Sequence, residues 1–191
     1  MLFDRFTGHL KTVCQHRNQV LKHCIKAGIP WRGLTHDLSK FTPAEFIPGV
    51  RYYQGNRSPN EREREVEGSS KAWMHHKGRN RHHFEYWTDL KRVPVGDHSE
   101  LTWTPFPMPT RYVVEMFCDR IAASKVYLKD AYSDASPLQY FRREVGAQPN
   151  LMAPETYALL ETLLVMLAEQ GEDAAFAYIR GTVLKGRRHG R

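Results

Sequence analysis

Long hydrophobic runs are missing from this chain. No apolar stretch approaches the roughly 18 residues needed to cross a bilayer, so neither a transmembrane helix nor a membrane partner is expected. The first residues, MLFDRFTGHLK, carry an early acid and no apolar core, so a secretory leader is not expected either. Cysteine is scarce. Cys14, Cys24 and Cys118 are far apart and form no CxxC pair, which excludes a disulfide framework and reads as buried thiols in a reducing, cytoplasmic setting. Strand-like alternation is rare, and there is no internal repeat, low-complexity segment or recognisable nucleic-acid-binding signature.

What is present describes a globular protein. Its 191 residues suit one domain, and 41% hydrophobic with 12% aromatic content is enough to build a core. The formal charge is +7, which suits either an ordinary soluble basic protein or one with an anionic partner such as phosphate, a nucleotide or nucleic acid. Part of that excess lies in the last seven residues, KGRRHGR, read as a frayed basic tail.

Helical periodicity dominates. In residues 8–27, Leu10, Val13, Cys14, Val20, Leu21, Cys24 and Ile25 recur at helical spacing. A short second helix follows, with Trp31, Leu34 and Leu38 on one face, and FTPAEF restarts with Thr42 as a cap and Glu45 completing a capping box. Residues 47–60 read as a loop, EREREVEGSSKAWMHH as one helix with a solvated charged half, and residues 92–110 as a proline-rich loop. Thr110 is placed to cap a long helix with Val114, Phe117, Cys118, Ile121 and Leu128 as its core stripe; another helix starts at Pro154, with Gly171 just past its end. The expected fold class is all-α, a single-domain helical bundle with long middle loops.

Histidine is the residue with an uneven distribution. Of ten, four fall in the nine residues HHKGRNRHH: His75, His76, His82 and His83. His36 directly precedes Asp37 in THDLSKF. Clustered imidazoles with a carboxylate are a recurrent metal shell, whereas a lone histidine is more often a satisfied polar residue. His9, His16 and His23, spaced by seven, share a helix face; His16 lies in the apolar stripe, while His9 and His23 are expected to be more exposed. Glu115 and Asp119 are an i,i+4 pair of like charges that needs a cation, either a metal or Arg111 or Arg120. Asp119 sits between core positions and is a candidate inward carboxylate.

The order His16, His36–Asp37, middle histidines, Asp119 resembles the HD-domain superfamily of metal-dependent phosphohydrolases. HDLSKF and AWMHHKGRNRHHFEYW are also similar to an uncharacterised bacterial and phage family, over roughly residues 9–130. The superfamily resemblance implies an all-α fold: a metal-binding helical core over residues 1–135, with helices of 136–184 packed on it and a basic tail at 185–191. It implies His16, His36, Asp37 and Asp119 as metal ligands, with His75 and His76 where extra histidines of two-metal versions stand and Asp37 then bridging. It also implies Lys40 near metal and phosphate. The chain departs from the pattern in offering four middle histidines. His75 and His76 sit about 100° apart on a helix, so one ligates while the other faces substrate, and the same alternatives hold for His82 and His83.

The cofactor expected is one or two divalent ions, with Mn, Fe, Co, Ni and Zn not distinguished. The substrate expected is a small phosphorylated molecule, for instance a nucleotide. Arg17, Arg79, Asn80, Arg81 and His83 are candidate phosphate contacts beside Lys40. His82 and Glu85 are candidate acids for the leaving oxygen. The alternatives are a di-iron oxygenase on the same superfamily pattern and a non-catalytic basic protein that binds nucleic acid.

Overall fold

The computed structural model describes residues 2–146 and 151–185. The basic tail expected at 185–191 lies, but for its first residue, outside the described residues. The first helix, α1 (Leu2–Ala27), leads into the short α2 (Pro30–Thr35) and a 3-10 turn at Leu38–Phe41. Three helices follow: α3 (Pro43–Arg51), α4 (Pro59–Glu67) and α5 (Lys71–Lys77). Strands β1 (Thr88–Val95) and β2 (His98–Pro105) come next, and then α6 (Thr110–Leu128), α7 (Ser136–Gly146) and α8 (Pro154–Tyr178).

The core is built around α1 and α6. Val20, Cys24 and Ala27 of α1 meet Val113, Val114, Phe117, Cys118 and Ile121 of α6, all almost wholly buried. Phe141 of α7 and Leu160, Leu163, Leu164 and Leu167 of α8 close the same cluster, so the C-terminal helices share the core of the first half. Burying side chains of this size supplies roughly 1.5–3 kcal/mol each relative to exposure. No helix among the described residues is long and apolar enough to cross a membrane.

The all-α expectation is overturned by the antiparallel hairpin β1–β2, paired from Thr88↔Pro105 to Val95↔His98. Prolines pulled this stretch towards a loop reading, yet a two-stranded ribbon has two outer edges where a missing N–H costs nothing, and Pro94 and Pro105 both belong to it. Gly96, at φ +63°, makes the turn.

Other boundaries shift for local reasons. The predicted loop at 47–60 begins only after Arg51, because α3 continues through Pro48. The single helix expected through EREREVEGSSKAWMHH is two: Gly68 stops α4 at φ +76°, and the Ser70 side chain accepts from Trp73 N to start α5. Of the charged run, Glu63 is buried and accepts from Ser70 Oγ. The chain passes Gly171, at φ +80°, and resumes as helix to Tyr178. Neither Thr110 nor Thr42 caps through its side chain; the Thr42 hydroxyl donates to the carbonyl of Ser39.

Trp31, Leu34 and Leu38 are 77%, 51% and 52% exposed, not buried. The α2 face that meets α1 is instead Gly33, where a Cβ would lie 2.8 Å from both Leu21 Cα and Cys24 Cβ. Leu128 and Ile25 are exposed, as is the Cys14 thiol. His9 and His23 are buried rather than exposed, because α3 and α8 cover the ends of the α1 histidine stripe.

Candidate metal centre

His36 and Asp37 point inward together because the chain leaves helical geometry between them. In a helix, consecutive side chains diverge by about 100°. Here His36 takes φ −56°, ψ 131° and Asp37 takes φ 53°, ψ 28°, the left-handed region that non-glycine residues seldom occupy. The 3-10 turn that follows brings Lys40 back, with Nζ 2.7 Å from Asp37 Oδ2. From α1 comes His16; from α6 come Glu115 and Asp119, one turn apart on one face; from α5 comes His76; and the segment after α5 adds His82 and His83.

Their Nε2 atoms converge on two aspartates. His16 Nε2 lies 2.9 Å from Asp119 Oδ1 and 3.7 Å from Asp37 Oδ2. His36 Nε2 lies 3.3 Å from Asp37 Oδ2 and 3.6 Å from Asp119 Oδ1. His76 and His82 present Nε2 at 3.3 Å and 3.4 Å to the other oxygen, Asp37 Oδ1. Despite this crowding, Nε2 of His16, His36, His82 and His83 and Oδ1 of Asp37 are buried without a hydrogen bond of proper alignment. Buried polar atoms are normally satisfied, and a group of orphans aimed at common points is what metal ligands look like.

Two glutamates hold the rings from behind. Glu115 Oε1 is 3.1 Å from His36 Nδ1 and 3.4 Å from His82 Nδ1. Glu45 places one oxygen 2.7 Å from His76 Nδ1 and the other 2.7 Å from His75 Nδ1. A carboxylate on Nδ1 fixes ring orientation and leaves Nε2 as the basic atom, the arrangement that supports metal-ligating histidines. Three groups of ligand atoms result: His16, His36 and Asp119; Asp37, His76, His82 and His83; and His36, His82 and Glu115. Asp37 lies between the first two, with one oxygen towards each. These buried groups could hold a metal ion.

The carboxylates fit that role, while His36 carries a proton that a bound ion would have to displace. Burial opposes ionisation of Asp37, but His36 and Lys40 overcome it and hold the carboxyl well below the usual range. Asp119 is likewise held well below, with burial outweighed by His16 and His36. Burial opposes charge on His36, but Asp37 and Asp119 hold its pKa well above the ordinary histidine value. Burial and the Lys40 charge lower that of His16, and burial lowers that of His83 well below it. Glu115 is lowered too, its two histidines outweighing burial.

A cavity of about 530 Å³ opens on this cluster, lined by His16, Asp37, Lys40, His76, His83 and Asp119 among others. Glu85 also lines it, and burial raises its carboxyl pKa. His75 stands outside the ligand groups, held on Glu45. Arg17 serves the site from outside: its Nε donates to the His36 carbonyl at 2.8 Å and its Nη2 to the Leu34 carbonyl. Asn80 Nδ2 donates to Ser39 Oγ at 2.8 Å and to the His76 carbonyl at 2.9 Å, so it braces the two segments. Arg79 and Arg81 line a second, smaller cavity on the far side of His82 and Glu115. Arg120, one proposed partner of the Glu115–Asp119 pair, binds Glu144, and the histidines compensate the pair instead.

Sequence reasoning missed Glu45. Its position three residues after Thr42 mimics a capping box, and no linear signal distinguishes that from a carboxylate aimed at α5. It also missed Gly49, where a Cβ would lie 2.2 Å from His9 Nε2, so that only glycine lets α3 approach α1 here.

No curated protein and no solved structure matches this chain. Residues 5–166 match the family described as "Family of unknown function (DUF5662)", a span that includes every residue of the cluster, its two glutamates and Lys40. The chain therefore belongs to that family.

Proposed function

We propose that the protein is a metal-dependent phosphohydrolase acting on a small phosphate ester, a nucleotide among the candidates, along the lines the HD-domain resemblance implies. The observation that carries this reading is the set of buried, unpartnered Nε2 atoms around Asp37 and Asp119 with a lysine against the same carboxylate. His16, His36, Asp119 and one oxygen of Asp37 would hold one ion; His76, His82 and His83 with the other oxygen would hold a second. Imidazole and carboxylate donors suit Mn, Fe, Co, Ni or Zn. A bound ion of this kind supplies Lewis acidity, which makes water a nucleophile near neutral pH and polarises a phosphoryl oxygen.

The chain's own groups do the rest. Asp37 and Asp119 stay ionised, so they remain ligands at any physiological pH. Lys40 stays charged, held above the ordinary lysine range by Asp37 against the cost of burial, and supplies a cation for a phosphoryl oxygen. Glu85, kept protonated to higher pH by burial, is the group on the cavity wall able to give a proton to a leaving oxygen. The cavity is larger than a phosphate alone requires and admits an organic portion.

Metal analysis of the purified protein, followed by a phosphatase and phosphodiesterase screen over nucleotides and simple esters, tests this. Expected are stoichiometric metal and hydrolysis that Asp37→Asn abolishes. An Asp37→Asn protein that keeps both metal and activity sinks the assignment. The sharing of Asp37 between two ligand groups also suits a di-iron oxygenase. Two irons per chain, an absorption band after aerobic purification and no ester hydrolysis would select that reading.

A further inference from the structure

The smaller cavity, about 310 Å³, has a different character from the larger one. Its wall is almost entirely polar side chains: Arg32 from α2, Arg79 and Arg81 from the loop after α5, Tyr112 and Glu115 from α6, and His82. Three guanidiniums at one concavity repel one another unless something negative joins them. Among the described residues, none of the three pairs with a carboxylate. Arginines elsewhere do: Arg57 and Arg62 with Glu65, Arg120 with Glu144, Arg142 with Glu161. The acid in this wall, Glu115, contacts His36 and His82 through Oε1 and leaves Oε2 buried without a hydrogen-bond partner, so one carboxylate, itself shared with two histidines, stands against three guanidiniums.

Tyr112 organises the cations. Arg32 stacks on its ring at 4.4 Å, and Arg81 Nη1 donates to its hydroxyl at 3.4 Å. Stacking occupies a guanidinium face and leaves its edge N–H groups free, the fork that matches two oxygens of a tetrahedral anion. The other polar groups of the wall are engaged elsewhere: Thr35 donates to the Trp31 carbonyl, and Asn80 bonds Ser39 and His76.

We propose that this smaller cavity is a binding site for a small phosphate-class oxyanion, held by Arg32, Arg79 and Arg81 and separate from the metal cavity. None of the three arginines belongs to the ligand groups, so the oxyanion site uses side chains that the metal site does not. The two cavities have no lining residue in common; His82 and Glu115 line the smaller one alone.

The test is calorimetric titration of inorganic phosphate into the full chain after chelator treatment, at low salt. Wild type should bind one phosphate saturably. Arg79→Gln/Arg81→Gln, both at exposed positions, should keep its circular dichroism and weaken phosphate by about tenfold or more, the worth of losing charge-assisted bonds. Arg32→Gln is the second variant if the first folds poorly. Lys40→Gln, in the larger cavity, should change phosphate affinity less than about twofold if the sites are separate. Glycerol phosphate binding as well as free phosphate would mean that the site takes the phosphoryl group of a larger ligand; a preference for free phosphate would mean the ion itself. Either outcome supports the site. No saturable binding overturns the proposal, as does binding unchanged in the arginine variants or lost only in Lys40→Gln. Single-stranded DNA binding more tightly than phosphate, and losing that affinity in the arginine variants, would overturn it in favour of a nucleic-acid surface.

Discussion

Asp37 occupies the left-handed region at a cost of roughly 1 kcal/mol, and such strain persists only where the surroundings over-determine it. Both of its oxygens are used: Oδ2 towards His36 and Lys40, Oδ1 towards His76 and His82. Asparagine tolerates the same backbone and has nearly the same shape. Asp37→Asn should therefore fold normally yet lose at least about tenfold in bound metal, read by plasma mass spectrometry of dialysed protein. A change at Glu115 acts one step removed. Glu115→Gln should lower metal affinity by about 10–100-fold in a chelator-competition titration, because Nδ1 of His36 and His82 loses its ionic partner. Affinity equal to wild type would show that the Glu115 contact is only packing. The His-Asp dipeptide and Asp119 were legible as ligand candidates from residue type and order. Which middle histidines face Asp37 was not, because His76 and His82 are selected by Glu45 and Glu115, from other helices.

At the scale of elements, the site depends on how closely α1, α3 and α5 approach. Gly49 is the contact of α3 with His9, and a methyl group there would overlap the imidazole. Gly49→Ala should destabilise by about 1–3 kcal/mol, the usual cost of overpacking, read as a lower thermal midpoint. A variant as stable as wild type would mean that His9 swings aside freely. The hairpin is the opposite case. Leu90, Leu101 and Trp103 are 44%, 57% and 70% exposed, so β1–β2 gives little apolar burial to the core. Replacing residues 89–104 by a short Gly/Ser linker should move the thermal midpoint by no more than about 2–4 °C, within about 1 kcal/mol. It should also leave metal content unchanged. α1, α6 and the start of α8 were legible from periodicity alone. The hairpin was not, because proline and exposure erase the alternation on which a strand reading relies.

For the whole molecule, the buried titratable groups set the response to acid. Burial pulls His9 and His23 down to about 4 from an unfolded value near 6.5. Between those values the unfolded chain binds more protons, so stability falls as pH drops from 6.5 towards 4. Each group contributes at most roughly 3 kcal/mol over that window. Asp37 and Asp119, held low, contribute stability that is present above the unfolded value and is lost only as pH falls through their folded values. Urea midpoints should therefore decline through pH 6.5–4 before Asp37 or Asp119 protonates. His23→Gln should flatten that decline, since His23 lies at the α8 side with Glu172, Lys125 and Lys26 and away from the metal ligands. A slope unchanged by the substitution would assign the acid response to other groups.

Residue type and order determined, without any structure, that the chain is mainly helical and that His36–Asp37 and the middle histidines are candidate ligands; the HD-domain resemblance joined His16 and Asp119 to them, and the structure brings His16, His36, Asp37 and Asp119 together. Those properties survive in one dimension because periodicity reports burial and because a His-Asp dipeptide is a local object. Only the tertiary structure decided that Glu45 and Glu115 hold the imidazoles, that Arg17 and Asn80 brace backbone and ring, and that Arg79 and Arg81 turn to a separate cavity with Arg32. Each of these is a contact between segments distant in sequence, and its direction is set by helix packing angles and by the left-handed turn at Asp37, neither of which the spacing of residue types encodes.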